Sequence, residues 1–159
     1  MKAHQFDLPG VDGKRHSPAS ARGVKGLVVM FICNHCPYVK RVIDGIVRDS
    51  KALAALGVGS IAVMSNDPAD YPEDSFDNMK RVAREKGFPF PYVVDETQDV
   101  ARAYGTVCTP EFFGFNAALE LQYHGRFDGL LEAMKQIAET GKGPKEQIPS
   151  VGCSIKWRK

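Results

Sequence analysis

The sequence predicts an α/β fold in which helices flank a central mixed β-sheet. Residues 26–64 hold two short apolar runs, separated by a stretch whose apolar residues recur at three- and four-residue steps. This is the pattern of a buried strand, an amphipathic helix and a second buried strand, and such a unit pairs its strands in parallel. Residues 109–116 and 118–125 are two further strand-like runs around Asn116-Ala117. They are predicted to pair antiparallel and to close the sheet.

The first 25 residues are rich in turn formers, among them LPG, VDGK and SPAS. A DG dipeptide between short apolar pieces predicts a β-hairpin. We therefore expect an N-terminal hairpin extension that packs on the main sheet.

The remaining elements follow from apolar periodicity and from glycine stops. They are a helix over 75–86, a strand over 88–95, a short helix over 96–105 and a final helix over 128–140. The whole chain, 1–159, is expected to form a single domain. Its parts are the extension (1–25), the core (26–140) and a tail (141–159).

The composition excludes several classes of protein. A net charge of +2 with 43% hydrophobic residues gives no case for a nucleic acid or membrane partner. No apolar run approaches the roughly 20 residues of a membrane span. The N-terminus lacks the apolar stretch of a signal peptide, so a cytoplasmic location is expected. Four cysteines in 159 residues do not make a disulfide scaffold.

The main chemical motif is FICNHCPYVK, residues 31–40, in which Cys33 and Cys36 lie where the first core strand leads into its helix. A helix N-terminus favours the thiolate, which is the reactive form of cysteine. Pro37 belongs in the first helical turn. Proline prefers the first helical position, which would make Cys36 the N-cap. Alternatively Asn34 is the N-cap, with Cys36 inside the first turn.

Three local features carry a resemblance to a known family. They are the apolar strand running into Cys33-Asn34-His35-Cys36, the dipeptide Thr109-Pro110 at the start of the late hairpin, and the segment FDLPGVDGK…GLVVMF. Together they resemble the thioredoxin fold and, within it, the alkyl hydroperoxide reductase/thiol-specific antioxidant (AhpC/TSA) group and its thiol–disulfide reductase relatives. The loop SNDPADYPEDSFDNM and the segment PYVVDETQDVARAYG also fit that group, so the resemblance covers about residues 5–140.

The resemblance implies a thioredoxin fold with an N-terminal hairpin extension and a thiol–disulfide oxidoreductase activity. Cys33 would attack a substrate disulfide and Cys36 would resolve the mixed disulfide. His35 would tune the pair towards a more oxidising potential. Thr109 and a cis Pro110 would position an extended substrate chain, whereas an ordinary trans proline at a strand start is the alternative.

The same resemblance implies the partners. They are a protein or small-molecule disulfide as substrate and an external dithiol as electron donor. No cofactor and no metal are expected, and the protein is expected to be a monomer or a weak homodimer.

The chain departs from the family patterns in three places. Ile32, rather than tryptophan, precedes the cysteine pair, and GLVVMFI lacks the buried acid of thioredoxin's first core strand. No PxxxTxxC signature of peroxiredoxins precedes Cys33 or Cys36. A peroxiredoxin-like thiol peroxidase that reduces hydroperoxides, with Cys36 as the attacking residue, therefore stays an alternative. A non-catalytic thioredoxin-like binding module is the second alternative.

Two other cysteines lie outside the pair. If Thr109 faces the site, strand alternation turns Cys108 away, and we interpret it as a small buried hydrophobic residue. Cys153 lies beyond the resemblance, as a distant resolving cysteine or a free thiol. One CxxC pair is too little for a structural zinc site, which uses four ligands. The remaining histidines are expected to be isolated surface or hairpin residues: His4, His16 and His124.

Overall fold

Six consecutive buried residues form the central strand of the sheet, β3 (Gly26–Phe31). The computed structural model describes residues 1–159. β3 pairs in parallel with β4 (Val58–Met64) and antiparallel with β7 (Glu111–Asn116). The outer strands are β5 (Tyr92–Val94), next to β4, and β8 (Leu121–Gly125), next to β7. The predicted mixed α/β sheet is confirmed.

Helices cover both faces of this sheet because every central strand is apolar on both sides. One core cluster joins the sheet to three helices, α2 (Pro37–Ala55), α3 (Phe76–Lys86) and α5 (Leu130–Thr140). The other cluster joins the opposite face to α4 (Asp99–Tyr104). None of the helices is both long enough and apolar enough to cross a lipid bilayer.

The N-terminal extension is a hairpin, as predicted. β1 (Leu8–Pro9) pairs antiparallel with β2 (Arg15–His16), and a short helix, α1 (Pro18–Ala21), follows. The hairpin lies on the outer edge of the sheet, where Gly10 bridges to Val93 of β5.

Several predicted elements have different bounds. The strand expected over 88–95 covers Tyr92–Val94, the helix expected over 96–105 covers Asp99–Tyr104, and the strand expected over 118–125 covers Leu121–Gly125. The final helix, expected from residue 128, starts at Leu130 after a 3₁₀ turn over Phe127–Gly129. The continuous strand expected over 109–116 is wrong at its start, because the chain forms β6 (Cys108–Thr109) and then, after Pro110, β7. Proline has no N–H and cannot continue the hydrogen-bond ladder.

The C-terminal tail docks back onto the core after α5. Its strand β9 (Cys153–Ser154) pairs antiparallel with β6, forming a separate two-stranded sheet. Ile155 is buried directly beyond it. The tail is therefore an ordered part of the region around residues 33–36.

Candidate active site

The cysteine pair occupies the turn between β3 and α2. Cys33 follows the strand by two residues, and Cys36 is the N-cap of α2 with Pro37 at the first helical position. Of the two N-cap assignments left open by the sequence, the structure has Cys36. Both thiols are free, and both residues are buried, with Cys33 3% and Cys36 0% exposed.

Thr109 contacts both sulfurs from the opposite side. Cys33 Sγ lies 3.5 Å from Thr109 Oγ1, and Cys36 Sγ lies 3.5 Å from the Thr109 carbonyl oxygen. The peptide bond between Thr109 and Pro110 is cis. All five residues singled out by the sequence thus belong to one region: the Cys33–Cys36 turn with His35, and the Thr109-Pro110 dipeptide.

The two thiols have opposite acidities. The hydrogen bond between them lowers the pKa of Cys36 to about 4, against the opposing effect of burial, with smaller contributions from Cys153 and from the backbone N–H of Val39. The same bond, burial and the charge of Asp74 raise the pKa of Cys33. No side-chain hydrogen bond caps the helix itself. In the reduced pair, Cys36 is therefore the thiolate and Cys33 keeps the proton.

Sequence reasoning missed the residue that organises the turn, Asp74. This fully buried carboxylate accepts from the backbone N–H groups of Asn34 at 2.7 Å and His35 at 3.2 Å. Its second oxygen lies 2.5 Å from His35 Nδ1 and accepts from Asn66 Nδ2 at 3.0 Å. The 3₁₀ turn Pro72–Asp74 thus places a buried acid beside the cysteine turn.

The two residues between the cysteines have further partners. Asn34 Oδ1 accepts from the hydroxyl of Tyr92 at 2.8 Å, and Asn34 Nδ2 donates to the Glu73 carbonyl at 2.9 Å. Burial raises the pKa of Tyr92 well above its usual value, so it stays a donor. His35 stacks on Tyr71, with ring centroids 4.8 Å apart. The side chains of Asn34 and His35 are therefore both tied to the loop after β4.

One feature of the sequence points to the loop that contains Asp74. Since β3 and β4 are parallel neighbours, the loop after β4 lies at the same sheet edge as the cysteines. That loop contains four acids with no local feature to separate them: Asp67, Asp70, Glu73 and Asp74.

A metal ion fits this arrangement poorly. Ligand atoms of Cys33, His35 and Asp74 lie within 4.8 Å of one another. However, His35 Nδ1 and both Asp74 oxygens are already hydrogen-bonded. Three side chains engaged with each other do not make the closed four-ligand shell of a structural zinc site.

A cavity of about 320 Å³ opens beside Cys33, and Cys36 does not line it. Its walls include apolar residues of α2 and α3, Val39 and Val82. Its charged side chains are paired: Lys40 lies 3.8 Å from Glu73, Arg81 lies 3.1 Å from Glu85, and Lys86 lies 3.4 Å from Asp44. The cavity therefore gives a small or extended substrate a route to Cys33 without strong selection for charge.

The other predicted residues lie as follows. Cys108 is half-buried, and burial raises the pKa of its thiol to about 11. Cys153 is close to Cys36, with which its thiol interacts. The expectation of isolated histidines is wrong for His16, which lies 2.9 Å from Asp12, and for His124, which lies 2.5 Å from Glu111.

Comparisons with known proteins place this site in a family. The family model described as the AhpC/TSA family matches residues 1–125. An uncharacterized conserved protein from Geobacillus kaustophilus has a similar crystal structure, with 41% identity and a TM-score of 0.95, over 99% of this chain and 91% of that chain. A hypothetical protein from Sinorhizobium meliloti 1021 is 31% identical with a TM-score of 0.95, over 99% of this chain and 93% of that one. No curated protein matches the sequence.

The fold is shared more widely. The thioredoxin domain of a thiol-disulfide oxidoreductase from Bacteroides vulgatus is 17% identical, with a TM-score of 0.72, over 87% of this chain and 96% of that chain. The fold is thus the thioredoxin fold expected from the resemblance. The family match supports a thioredoxin-like redox function. With four fifths of its length matched by the family model, the chain belongs to the AhpC/TSA family.

Proposed function

We propose that this protein is a thiol–disulfide oxidoreductase whose redox couple is Cys33 and Cys36. The observation that carries the proposal is the placement of two free, buried thiols against one residue, Thr109. Cys33 Sγ and Cys36 Sγ each lie 3.5 Å from a Thr109 oxygen, and the pKa of Cys36 is lowered while that of Cys33 is raised. A dithiol arranged in this way can form an internal disulfide after a single exchange.

In the first step, Cys33 is the sulfur that a substrate meets, because it lines the cavity and Cys36 does not. Cys33 attacks one sulfur of the substrate disulfide, and its proton passes to the Cys36 thiolate. The bond between the substrate sulfurs breaks as the Cys33–substrate bond forms. The first substrate thiolate leaves.

In the second step, Cys36 loses its proton to the departing thiolate or to solvent and attacks Cys33. The Cys33–Cys36 disulfide forms and the second substrate sulfur leaves as a thiolate. The pair has lost two electrons and the substrate has gained them. An external dithiol, which we propose as the electron donor, returns the pair to the reduced state.

The proposal is tested by insulin reduction with dithiothreitol as donor, using the wild type, Cys33→Ser and Cys36→Ser. We expect each substitution to abolish catalysed turnover, because the Cys33–Cys36 disulfide can no longer form. Cys108→Ser is the matched control, since its half-buried thiol touches neither Thr109 oxygen, and it should keep the wild-type rate. Unchanged rates in both active-site variants would contradict the proposal.

A second candidate is a thiol peroxidase, favoured by the burial of Cys36. A hydroperoxide is small enough to reach a fully buried thiolate of low pKa. Cys36 would take the terminal peroxide oxygen to give a sulfenic acid, releasing the alcohol or water. Cys33 would then condense with it, releasing water and forming the same disulfide.

The same variants separate the two candidates. If Cys36→Ser alone abolishes peroxide consumption, while Cys33→Ser retains the first turnover, the peroxidase assignment holds. If the wild type leaves peroxide intact but reduces insulin, the oxidoreductase assignment holds.

A further inference from the structure

The C-terminal tail occupies the strand edge that borders the cysteine pair. Cys153 pairs with Thr109 and Ser154 with Cys108 in an antiparallel register. The ladder continues where the Ile155 N–H donates to the Val107 carbonyl at 2.9 Å. An extended peptide that adds to a sheet edge makes this same kind of pairing. The tail thus lies where an extended substrate would lie.

A glycine makes this close approach possible. A Cβ atom on Gly152 would lie 1.9 Å from the Thr109 carbonyl oxygen and 3.1 Å from the Pro110 nitrogen. Both neighbours are backbone atoms of the site and cannot rotate away. Only a residue without a side chain lets the tail lie flat on the Thr109-Pro110 dipeptide.

The tail is anchored beyond the paired segment. The Lys156 N–H donates to Asn66 Oδ1 at 2.9 Å, and Gln98 Nε2 donates to the Lys156 carbonyl at 2.9 Å. Ile155 is 3% exposed. These contacts hold the position of the neighbouring Cys153.

This docking brings a third thiol to the pair. Cys153 packs against the core cluster that contains Cys33 and Cys36, and its thiol interacts with that of Cys36. Cys36 Sγ lies 3.5 Å from the carbonyl oxygen of Thr109, the residue paired with Cys153. Cys36 therefore has both Cys33 and Cys153 as neighbouring thiols.

We propose that Cys153 is a third redox-active cysteine, which exchanges with the Cys33–Cys36 disulfide as an internal substrate. This inference rests on the proposed use of Cys33 and Cys36 as a redox couple. The Cys153 thiolate attacks Cys36 Sγ. The Cys36–Cys153 bond forms and the Cys33–Cys36 bond breaks, and Cys33 leaves as a thiolate that takes up the proton lost by Cys153. No electrons leave the protein, so the exchange needs no further oxidant.

The reactivity of Cys153 is tied to the state of Cys36. In the reduced protein, burial and the neighbouring Cys36 thiolate raise the pKa of Cys153 to about 11. Once Cys36 is part of a disulfide its charge is gone, while Lys156 still favours the Cys153 thiolate. The thiolate form of Cys153 is thus disfavoured when the pair is reduced, and the thiol becomes more acidic when the pair is oxidised.

The exchange moves the disulfide from the cavity side of Cys36 to its tail side. Cys33 becomes a free thiol beside the cavity, and the tail is covalently fixed on the strand edge. A protein chain cannot then pair with that edge, whereas a small disulfide can still enter the cavity.

The test is disulfide mapping by mass spectrometry after oxidation with oxidised glutathione. In Cys33→Ser we expect a Cys36–Cys153 disulfide, with loss of two of the three remaining thiols. Cys33→Ser/Cys108→Ser should behave identically. In wild type, the Cys36–Cys153 disulfide should appear as a minor species beside Cys33–Cys36. A Cys36 that ends bound to glutathione or to Cys108, with Cys153 alkylatable throughout, would overturn the proposal.

A pair of tail variants tests the geometry while Cys36, Cys108 and Cys153 are all kept. In the Cys33→Ser background, Gly152→Ala should slow Cys36–Cys153 formation about tenfold, because the tail must shift away from Thr109. Val151→Ala is the matched control, since Val151 is exposed, and it should leave the rate unchanged. Equal rates in the two variants would also overturn the proposal.

The mapping does not depend on turnover of an external substrate. Insulin reduction that persists without any Cys36–Cys153 disulfide would refute the role of Cys153 and leave the proposed function standing. A Cys36–Cys153 disulfide in a protein that does not reduce insulin would refute only the proposed function.

Discussion

Two segments cover the cysteine turn, and they are held by different chemistry. The loop after β4 acts through one buried charge, the Asp74 carboxylate, which binds the backbone of the turn itself. The tail acts through strand pairing, one glycine contact, the burial of Ile155 and the hydrogen bonds of the Lys156 backbone to Asn66 and Gln98. The loop binds the backbone between the two sulfurs, whereas the tail binds the strand that faces them.

This difference in how the two segments are held indicates which of them can leave the site. If Asp74 left, two backbone N–H groups and a histidine would lose their acceptor inside the protein, which is costly. If the tail left, its backbone groups and those of β6 would meet water. The loop is therefore a fixed part of the site, and the tail is a replaceable one.

The largest expected effect is the loss of stability caused by a substitution in the loop. Asp74→Ala should lower the free energy of unfolding by about 3–5 kcal/mol, because it removes a buried charge with several hydrogen bonds. Chemical denaturation measures this change. Asp70→Ala, whose side chain is 64% exposed, is the control and should stay within about 0.5 kcal/mol of wild type. If Asp74→Ala lost no more stability than the control, the loop would not be the more firmly held of the two segments.

The next largest effect is a change in the accessibility of Cys36 caused by a substitution in the tail. Ile155→Ala should raise the rate at which iodoacetamide labels Cys36 by at least about tenfold, because losing a buried aliphatic side chain favours the undocked tail. Mass spectrometry of the labelled peptide measures the rate. Ile148→Ala removes an exposed side chain from the same region and should have no effect. An unchanged rate in Ile155→Ala would mean that the tail does not gate access to Cys36.

The pKa of Cys36 shows how much Cys33, in the turn, and Cys153, in the tail, each stabilise its thiolate. The Cys33 hydrogen bond is the largest cause of its lowered pKa of about 4, and Cys153 contributes less. Cys33→Ser should therefore shift the appearance of the Cys36 thiolate to higher pH, and Cys153→Ser should shift it less. Ultraviolet absorbance of the thiolate follows both titrations, with Cys108→Ser as the control. The reverse order would make the tail the main support of the thiolate.

The smallest expected effect tests Tyr71, a side chain of the loop that packs on both the cysteine turn and the tail. Tyr71 stacks on His35 and lies under Lys156, whose Nζ is 5.2 Å from the ring centroid. Tyr71→Ala should cost about 0.5–1.5 kcal/mol of stability, measured by thermal unfolding. Tyr71→Phe keeps the ring and should be neutral. A loss in the phenylalanine variant would show that the hydroxyl, rather than the stacking, matters.

Local patterns predicted much of this molecule. The βαβ unit, the hairpin extension and the cysteine pair at a strand-to-helix turn all follow from residues close together in sequence. The resemblance then predicted Thr109 and Pro110 beside the cysteines, where the structure has them. The identity of the N-cap was undecided, because Pro37 was compatible with both assignments.

The features that the sequence did not predict depend mainly on contacts between residues far apart in the sequence. Asp74 shares its loop with three other acids, and only the folded structure shows which of them is buried. The pairing of Cys153 with Thr109 rests on a two-residue strand that has no periodicity to read. The break at Pro110 was missed because the residues on both sides of it favour strand.

The spacing of the site along the chain has a consequence for biosynthesis. The bonds from Thr109 to Cys33 and Cys36 join residues 76 and 73 positions apart, and Cys153 lies further still. In a nascent chain none of these contacts exists, so its thiols have ordinary acidity. Thr109 can hold the two sulfurs side by side only after the sheet has closed. The pKa of Cys36 is therefore expected to fall as the chain folds, a change that the ultraviolet absorbance of the thiolate can follow without an added probe.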